Sequence, residues 1–220
     1  MSQNLFITGT GTDVGKTFVS ALMVKKLAQS GRRAGYFKAA MSGNRRRADG
    51  SLIPGDGAWV QQISGISQPL YENAWSPHLA SRVEGNPVDL KEVRRRFVQV
   101  CGRYDYVTVE GSGGILCPIR FDQEKIWMED VIQVLGLSCL LVADAGLGTI
   151  NSVGLTAEYM RSRGIPVKGI ILNRFHPGDG MEEDNRVMCE ALTGLKVLAC
   201  VKVGDDQLDL DAQALAALYE

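Results

Sequence analysis

The chain lacks most of the features that mark secreted, membrane and nucleic-acid-binding proteins. Its five cysteines, Cys101, Cys117, Cys139, Cys189 and Cys200, stand singly among 220 residues. None forms a Cys-x-x-Cys pair, and the two histidines, His78 and His176, lie at no metal-ligand spacing. An odd, scattered set of thiols argues against a disulfide framework or a structural zinc site and suits a reducing compartment. No apolar run approaches the roughly 18–20 residues of a membrane-spanning helix. The first strand begins almost at once, leaving no room for a secretory leader. A cytoplasmic location and no membrane partner are therefore expected. Excess charge of one sign is missing as well: 24 Lys and Arg face 25 Asp and Glu, a net charge of −1. That balance argues against a broad nucleic-acid surface, so no nucleic-acid partner is expected. No repeat and no linker divides the sequence, so residues 1–220 are read as one domain.

What is present is concentrated at the N-terminus. Leu5-Phe-Ile7 is a short apolar run of the kind a buried strand shows. A loop from Gly9 to Gly15 follows, and Lys16-Thr17 opens a segment with helical spacing of Val19, Leu22, Met23 and Leu27. Strand, glycine-rich loop, Gly-Lys-Thr and helix together make a phosphate-binding loop. Glycines let successive backbone N–H groups turn inward around phosphate oxygens at the positive end of a helix. Lys16 supplies a mobile charge for the β- and γ-phosphates, and the Thr17 hydroxyl suits Mg²⁺. The spacing is unusual, because the position five before Gly15 is Thr10 and the nearest usable glycine is Gly9.

Strands are expected at 33–38, 104–110, 137–143, 166–173 and 196–201. Helices are expected at 18–30, 58–64, 78–84, 90–102, 129–135, 150–163, 181–192 and 211–218. Asp89 is an N-cap candidate, Pro54-Gly-Asp-Gly57 reads as a turn, residues 42–57 as a polar loop, and 65–88 as largely irregular. Strands alternate with helices and are apolar throughout. The fold class is therefore α/β: a single-domain, P-loop NTPase-like parallel sheet with helices on both faces. Ligands of such sheets bind beyond the carboxyl ends of the strands. That rim holds Gly9–Thr17, Lys38–Ser42, Glu110–Gly114, Asp144–Asn151 and Asn173.

Glu110 ends a strand and leads into Gly111-Ser112-Gly113-Gly114, where a carboxylate can serve as a second Mg²⁺ ligand facing Thr17. Lys38 is a second rim lysine, suited to neutralising charge on a transferring phosphoryl group. Asp49 and Asp56 are both candidate metal ligands, and spacing does not choose between them. The Arg45-Arg46-Arg47 run reads as a solvated loop face, Arg94-Arg95-Arg96 as the wet side of a helix, and His78 and His176 as structural.

Taken together, Thr8–Thr17, Tyr36–Gly43, Ser76-Pro-His78, Val109–Gly114, Leu147–Asn151 and Asn173 resemble the dethiobiotin synthetase family, in that family's order. The longer phosphate loop is itself a habit of the family. The resemblance implies an ATP- and Mg²⁺-dependent ring closure in biotin synthesis. Its substrates would be 7,8-diaminononanoate and CO₂ or bicarbonate, which form a carbamate and then a carbamic-phosphoric anhydride. It implies that Asp13, Val14, Gly15, Lys16, Thr17 and Phe18 hold the phosphates, with Thr17, Asp56 and Glu110 around Mg²⁺. Gly111, Ser112, Gly113 and Asn173 complete the nucleotide site. Thr12, Lys38 and Ser42 face the carbamate and the diamine, and Lys16 and Lys38 are the catalytic pair. Gly148, Thr149, Ile150 and Asn151 receive the substrate carboxylate, offered to the other subunit of a homodimer whose site lies at the interface.

The sequence departs from the family pattern in places. Asp13 stands where glutamate is frequent, Arg174 where an acidic residue is common, and Ser152 where a histidine often follows the Asn. Val201-Lys-Val-Gly204 lacks a proline-containing turn seen beside the base. Two other readings are a related ATP-dependent amidoligase and a ParA/MinD-like switch ATPase. The second expects a signature lysine early in the loop, and 9–14 contain no basic residue.

Overall fold

The computed structural model describes residues 2–38, 45–46, 52–53, 55–65, 71–72 and 87–220. The strands are β1 (Gln3–Gly9), β2 (Ala34–Lys38), β3 (Arg45–Arg46), β4 (Leu52–Ile53), β5 (Tyr71–Glu72), β6 (Tyr106–Glu110), β7 (Pro118–Phe121), β8 (Lys125–Trp127), β9 (Cys139–Asp144), β10 (Val167–Asn173) and β11 (Val197–Val201). The helices are α1 (Lys16–Gln29), α2 (Gly55–Ser64), α3 (Leu90–Cys101), α4 (Met128–Leu135), α5 (Thr149–Ser162), α6 (Gly180–Thr193) and α7 (Ala212–Ala216). Seven strands form one sheet in the order β11-β10-β9-β1-β6-β2-β5, and every neighbouring pair in it is parallel. Parallel pairing puts Gly9, Lys38, Glu110, Asp144 and Asn173 on one rim.

The strands are apolar on both faces because both faces are covered. In β1, Phe6 joins a cluster with Val93 and Phe97 of α3 and Val131 of α4. Its neighbours Leu5 and Ile7 join the opposite layer, with Val19, Leu22 and Leu27 of α1 and Leu215 of α7. The two-residue alternation of strand side chains explains the split. A third cluster packs Leu141 and Leu172 against Val153 of α5 and Cys189 of α6. Asp89 caps α3 by accepting from the Lys91 N–H at 2.8 Å, as the sequence indicates. Asp179 and Asp211 do the same for α6 and α7. No described helix is long and apolar enough to cross a membrane.

Three local readings are corrected. Residues 55–57 are the first turn of α2 rather than a free turn, with Asp56 in it. Glycine and aspartate suit both roles, and an acidic side chain is favoured at a helix N-terminus. Arg45 and Arg46 lie in β3, paired antiparallel with β4, rather than in an open loop. The stretch read as irregular contains β5, which extends the sheet beside β2. The sequence reading also missed the antiparallel β7–β8 pair. Ser42, Arg47, Asp49, His78 and the helix expected at 78–84 lie outside the described residues.

Candidate active site

The strand register builds the site. β2 and β6 pair with Lys38 opposite Glu110 and Tyr36 opposite Thr108. Side chains two apart share a face, so Tyr36, Lys38 and Glu110 all project towards the layer that contains α1. α1 starts at Lys16 directly after the phosphate loop, which brings Thr17 over the end of β6. The result is one hydrogen-bonded network. Lys38 Nζ donates to Glu110 Oε1 at 2.6 Å and to Asp56 Oδ2 at 2.7 Å. Thr17 Oγ1 donates to Glu110 Oε1 at 2.8 Å. Tyr36 Oη donates to Glu110 Oε2 at 2.8 Å. Glu110 is fully buried and Lys38 is 6% exposed.

A buried carboxylate is tolerated only with partners of this kind, and two hydroxyls and an ammonium supply them. Burial alone would lower the Lys38 ammonium. Glu110 and Asp56 outweigh that and hold it above the ordinary lysine value, so Lys38 works as a fixed positive charge and not as a base. Burial pushes Lys16 below its ordinary value, against the pull of Glu110 and with the repulsion of Lys38. Lys16 Nζ donates to the Gly11 carbonyl at 2.7 Å.

These groups open onto a cleft of about 630 Å³. Its walls include Thr12, Asp13, Gly15, Lys16, Thr17 and Phe18 from the loop and α1, Lys38 and Asp56, and Glu110, Ser112 and Gly113 from the end of β6. Asp13 is left-handed at φ 60, and so is Gly15, the N-cap of α1, at φ 93. A Cβ added at Gly15 would lie 1.9 Å from Asn173 Nδ2, so the position demands glycine. Val14, Gly111 and Asn173 are buried behind the wall. Asn173 donates its amide to the Val14 carbonyl at 3.0 Å, so its described contact is with the loop.

Gly148, Thr149, Ile150 and Asn151 form the start of α5 and are not among the described residues lining the cleft. The Thr149 hydroxyl is buried there without a hydrogen-bond partner among the described residues. His176 pairs with Glu182 at 3.0 Å, off the cleft wall.

Comparison with known proteins gives the geometry a family. The family model described as an AAA domain matches residues 3–208. The ATP-dependent dethiobiotin synthetase BioD of Brachyspira hyodysenteriae is 44% identical, with 100% of both chains covered. That of Clostridium perfringens (strain 13) is 42% identical over 94% of this chain and 93% of its own. The chain belongs to the dethiobiotin synthetase family. Among solved structures, a ParA family ATPase from Chlorobium tepidum aligns over 99% of this chain and 90% of its own, with a TM-score of 0.59. At 16% identity that likeness shows a shared fold alone.

Within this dethiobiotin synthetase-family chain, three site residues receive no role from the sequence reading. Tyr36 reads as a core aromatic, and only the register reveals its hydroxyl on Glu110. Trp59 of α2 lines the cleft and lies 5.8 Å, ring to ring, from Phe18. Arg174 also lines it, where the sequence marked only a departure from the family pattern. Among the described residues no three His, Cys, Asp or Glu side chains converge as a metal site. Thr17, Glu110 and Asp56 offer a thinner, all-oxygen set. That suits Mg²⁺, which keeps several waters and shares phosphate oxygens. Thr17 Oγ1 and Glu110 Oε1 are 2.8 Å apart, close to the roughly 3 Å between adjacent ligands of an octahedral Mg²⁺. The residues fit the ion.

Proposed function

We propose that this chain, folded as one domain, closes the ureido ring of dethiobiotin from 7,8-diaminononanoate, CO₂ and ATP. The observation that carries the reading is the convergence of two lysines, two carboxylates and the Thr17 hydroxyl on one phosphate-loop cleft. CO₂ adds to one amine, which loses a proton and becomes a carbamate. A carbamate oxygen attacks the γ-phosphorus of ATP, an O–P bond forms, and the bond to ADP breaks. The second amine attacks the resulting anhydride carbon, a C–N bond forms, the C–O bond to phosphate breaks, and a proton is released. No protein nucleophile is needed.

The side chains position reactants and stabilise charge. The loop from Thr12 to Phe18 cradles the phosphates. Lys16 leaves the Gly11 carbonyl to reach them. Lys38, held as an ammonium by Glu110 and Asp56, faces charge as it moves from carbamate oxygen to phosphoryl group. Thr17, Glu110 and Asp56 are the residues that would hold Mg²⁺. These residues would thereby bring to the phosphates a divalent charge that offsets their own. Thr12, on the cleft wall, faces the carbamate and diamine side; Ser42, which the family resemblance gives the same role, lies outside the described residues.

The family resemblance extends this to a homodimer in which Gly148–Asn151 receives the substrate carboxylate across the interface. The Thr149 hydroxyl, buried at the start of α5 and unpartnered among the described residues, supports that role. So do exposed Leu147 and Leu155 beside it, at 91% and 66%. Five free cysteines fit a cytoplasmic setting. The test is ATP turnover by the purified chain with and without 7,8-diaminononanoate and bicarbonate. Turnover that requires both supports the proposal, and turnover indifferent to the diamine sinks it.

A further inference from the structure

Two consecutive residues at the end of β10 grip two consecutive carbonyls of the phosphate loop. Asn173 holds the Val14 carbonyl at 3.0 Å. Arg174 Nη2 donates to the Asp13 carbonyl. The other arm of the guanidinium, Nη1, pairs with Asp144 Oδ2. Asp144 ends β9, and its Oδ1 accepts from the Gly146 N–H at 3.0 Å. The clamp is thus anchored on two neighbouring strand ends of the sheet.

Backbone strain singles out the same pair. Asp13 and Arg174, at φ 60 and φ 57, are the two non-glycine residues with positive φ among the described residues. They are hydrogen-bonded to each other. Non-glycine residues persist in that conformation where their surroundings hold them. A trans peptide sets each carbonyl antiparallel to the N–H of the next residue. Fixing the Asp13 and Val14 carbonyls therefore fixes the direction of the Val14 and Gly15 N–H groups. Successive N–H groups of this kind form the concave donors that receive an anion.

We propose that Arg174 is a positioning residue for the nucleotide phosphates. Bridging Asp144 to the Asp13 carbonyl, it holds the loop in its anion-receiving shape before nucleotide arrives. Binding then does not have to order the loop, and affinity is higher for that reason. This rests on the reading of the cleft as the nucleotide site. Arg174 acts through the loop and leaves the chemistry to Lys16 and Lys38.

The test measures ADP binding by calorimetry and steady-state kinetics on the full chain, for wild type, Arg174→Ala, Arg174→Lys, Asp144→Asn and the Ala/Asn double variant. Loss of the single, solvent-exposed hydrogen bond to the Asp13 carbonyl is expected to weaken ADP binding and raise the KM for ATP roughly five- to tenfold in Arg174→Ala. The kcat and the KM for the diamine should stay within about twofold, a split that general destabilisation does not produce. Arg174→Lys should recover part of the loss, because one ammonium reaches only one of the two acceptors at a time. The double variant should be no worse than Arg174→Ala, because Asp144 acts through Arg174. If Arg174→Ala does not fold, Arg174→Lys and Asp144→Asn decide, each with a smaller loss of ADP affinity. ADP affinity within twofold of wild type in the folded variants overturns the proposal while leaving the nucleotide reading intact. A wild type that binds no ADP overturns both.

Discussion

Replacing Lys38 with methionine removes the ammonium and keeps most of the side chain's bulk. The lysine is 6% exposed and makes two ion pairs, to Glu110 at 2.6 Å and Asp56 at 2.7 Å. Removing one partner of a buried pair costs about 3–5 kcal/mol. Here Glu110 keeps the Thr17 and Tyr36 hydroxyls, and the Asp56 side chain is 39% exposed and rehydrates. The lower end, about 3 kcal/mol, therefore applies. For a chain of this length that lowers the melting temperature by about 6–12 °C. The chemical cost is separate. Removing one preorganised charge or donor from a transferring group lowers kcat by about 10²–10³. ADP affinity should fall by less than about threefold, because the proposed mechanism gives the phosphates to the loop and Lys16. Steady-state turnover, ADP calorimetry and thermal unfolding on Lys38→Met and Lys16→Ala read all three quantities. Lys16→Ala should lose both affinity and turnover. Equal losses of ADP affinity in the two variants would refute the division of labour between the lysines.

Tyr36→Phe removes a buried hydroxyl from Glu110 Oε2, and thermal denaturation should show a loss of about 2 kcal/mol with reduced turnover. Gly15→Ala pushes a methyl into Asn173 Nδ2 at a left-handed position, so calorimetry should detect no ADP binding by folded protein. The hydrogen bond and charge of Glu182 raise the pKa of His176 above its ordinary value. A raised folded-state pKa stabilises below the unfolded value of 6.5 and loses that contribution as pH rises through the folded value. The melting-temperature gap between wild type and His176→Ala should therefore be present at pH 6 and shrink as the solution becomes alkaline.

The sheet was legible because its strands are apolar on both faces and its helices carry caps such as Asp89. The same rule of strand ends put Lys38 and Glu110 on the working rim. Their direct contact was not legible, since it depends on the register that sets Lys38 opposite Glu110. Tyr36 was hidden for the same reason: a tyrosine inside a strand looks like core until the partner of its hydroxyl is known. Spacing left Asp49 and Asp56 open, and the family resemblance favoured Asp56. The structure puts Asp56 in the first turn of α2, on Lys38. Turn residues that also suit a helix start concealed only its first turn, 55–57, ahead of the helix expected at 58–64. The β7–β8 pair is short, and Asp122, Gln123 and Glu124 between its strands include no glycine to announce a turn. Arg174 could be seen only as an unexpected residue, because positive φ and a grip on a backbone carbonyl leave no trace in composition or spacing.

Oxygen labelling tests directly whether the cleft activates a carbamate by phosphorylation. With C¹⁸O₂ supplied to enzyme, 7,8-diaminononanoate and ATP, the carbamate oxygen that attacks phosphorus leaves with it. The released phosphate should carry one ¹⁸O per turnover, while the other labelled oxygen stays in the ureido carbonyl. Phosphate whose new oxygen comes only from water, released while the ring still forms, would rule out phosphorylation of the carbamate.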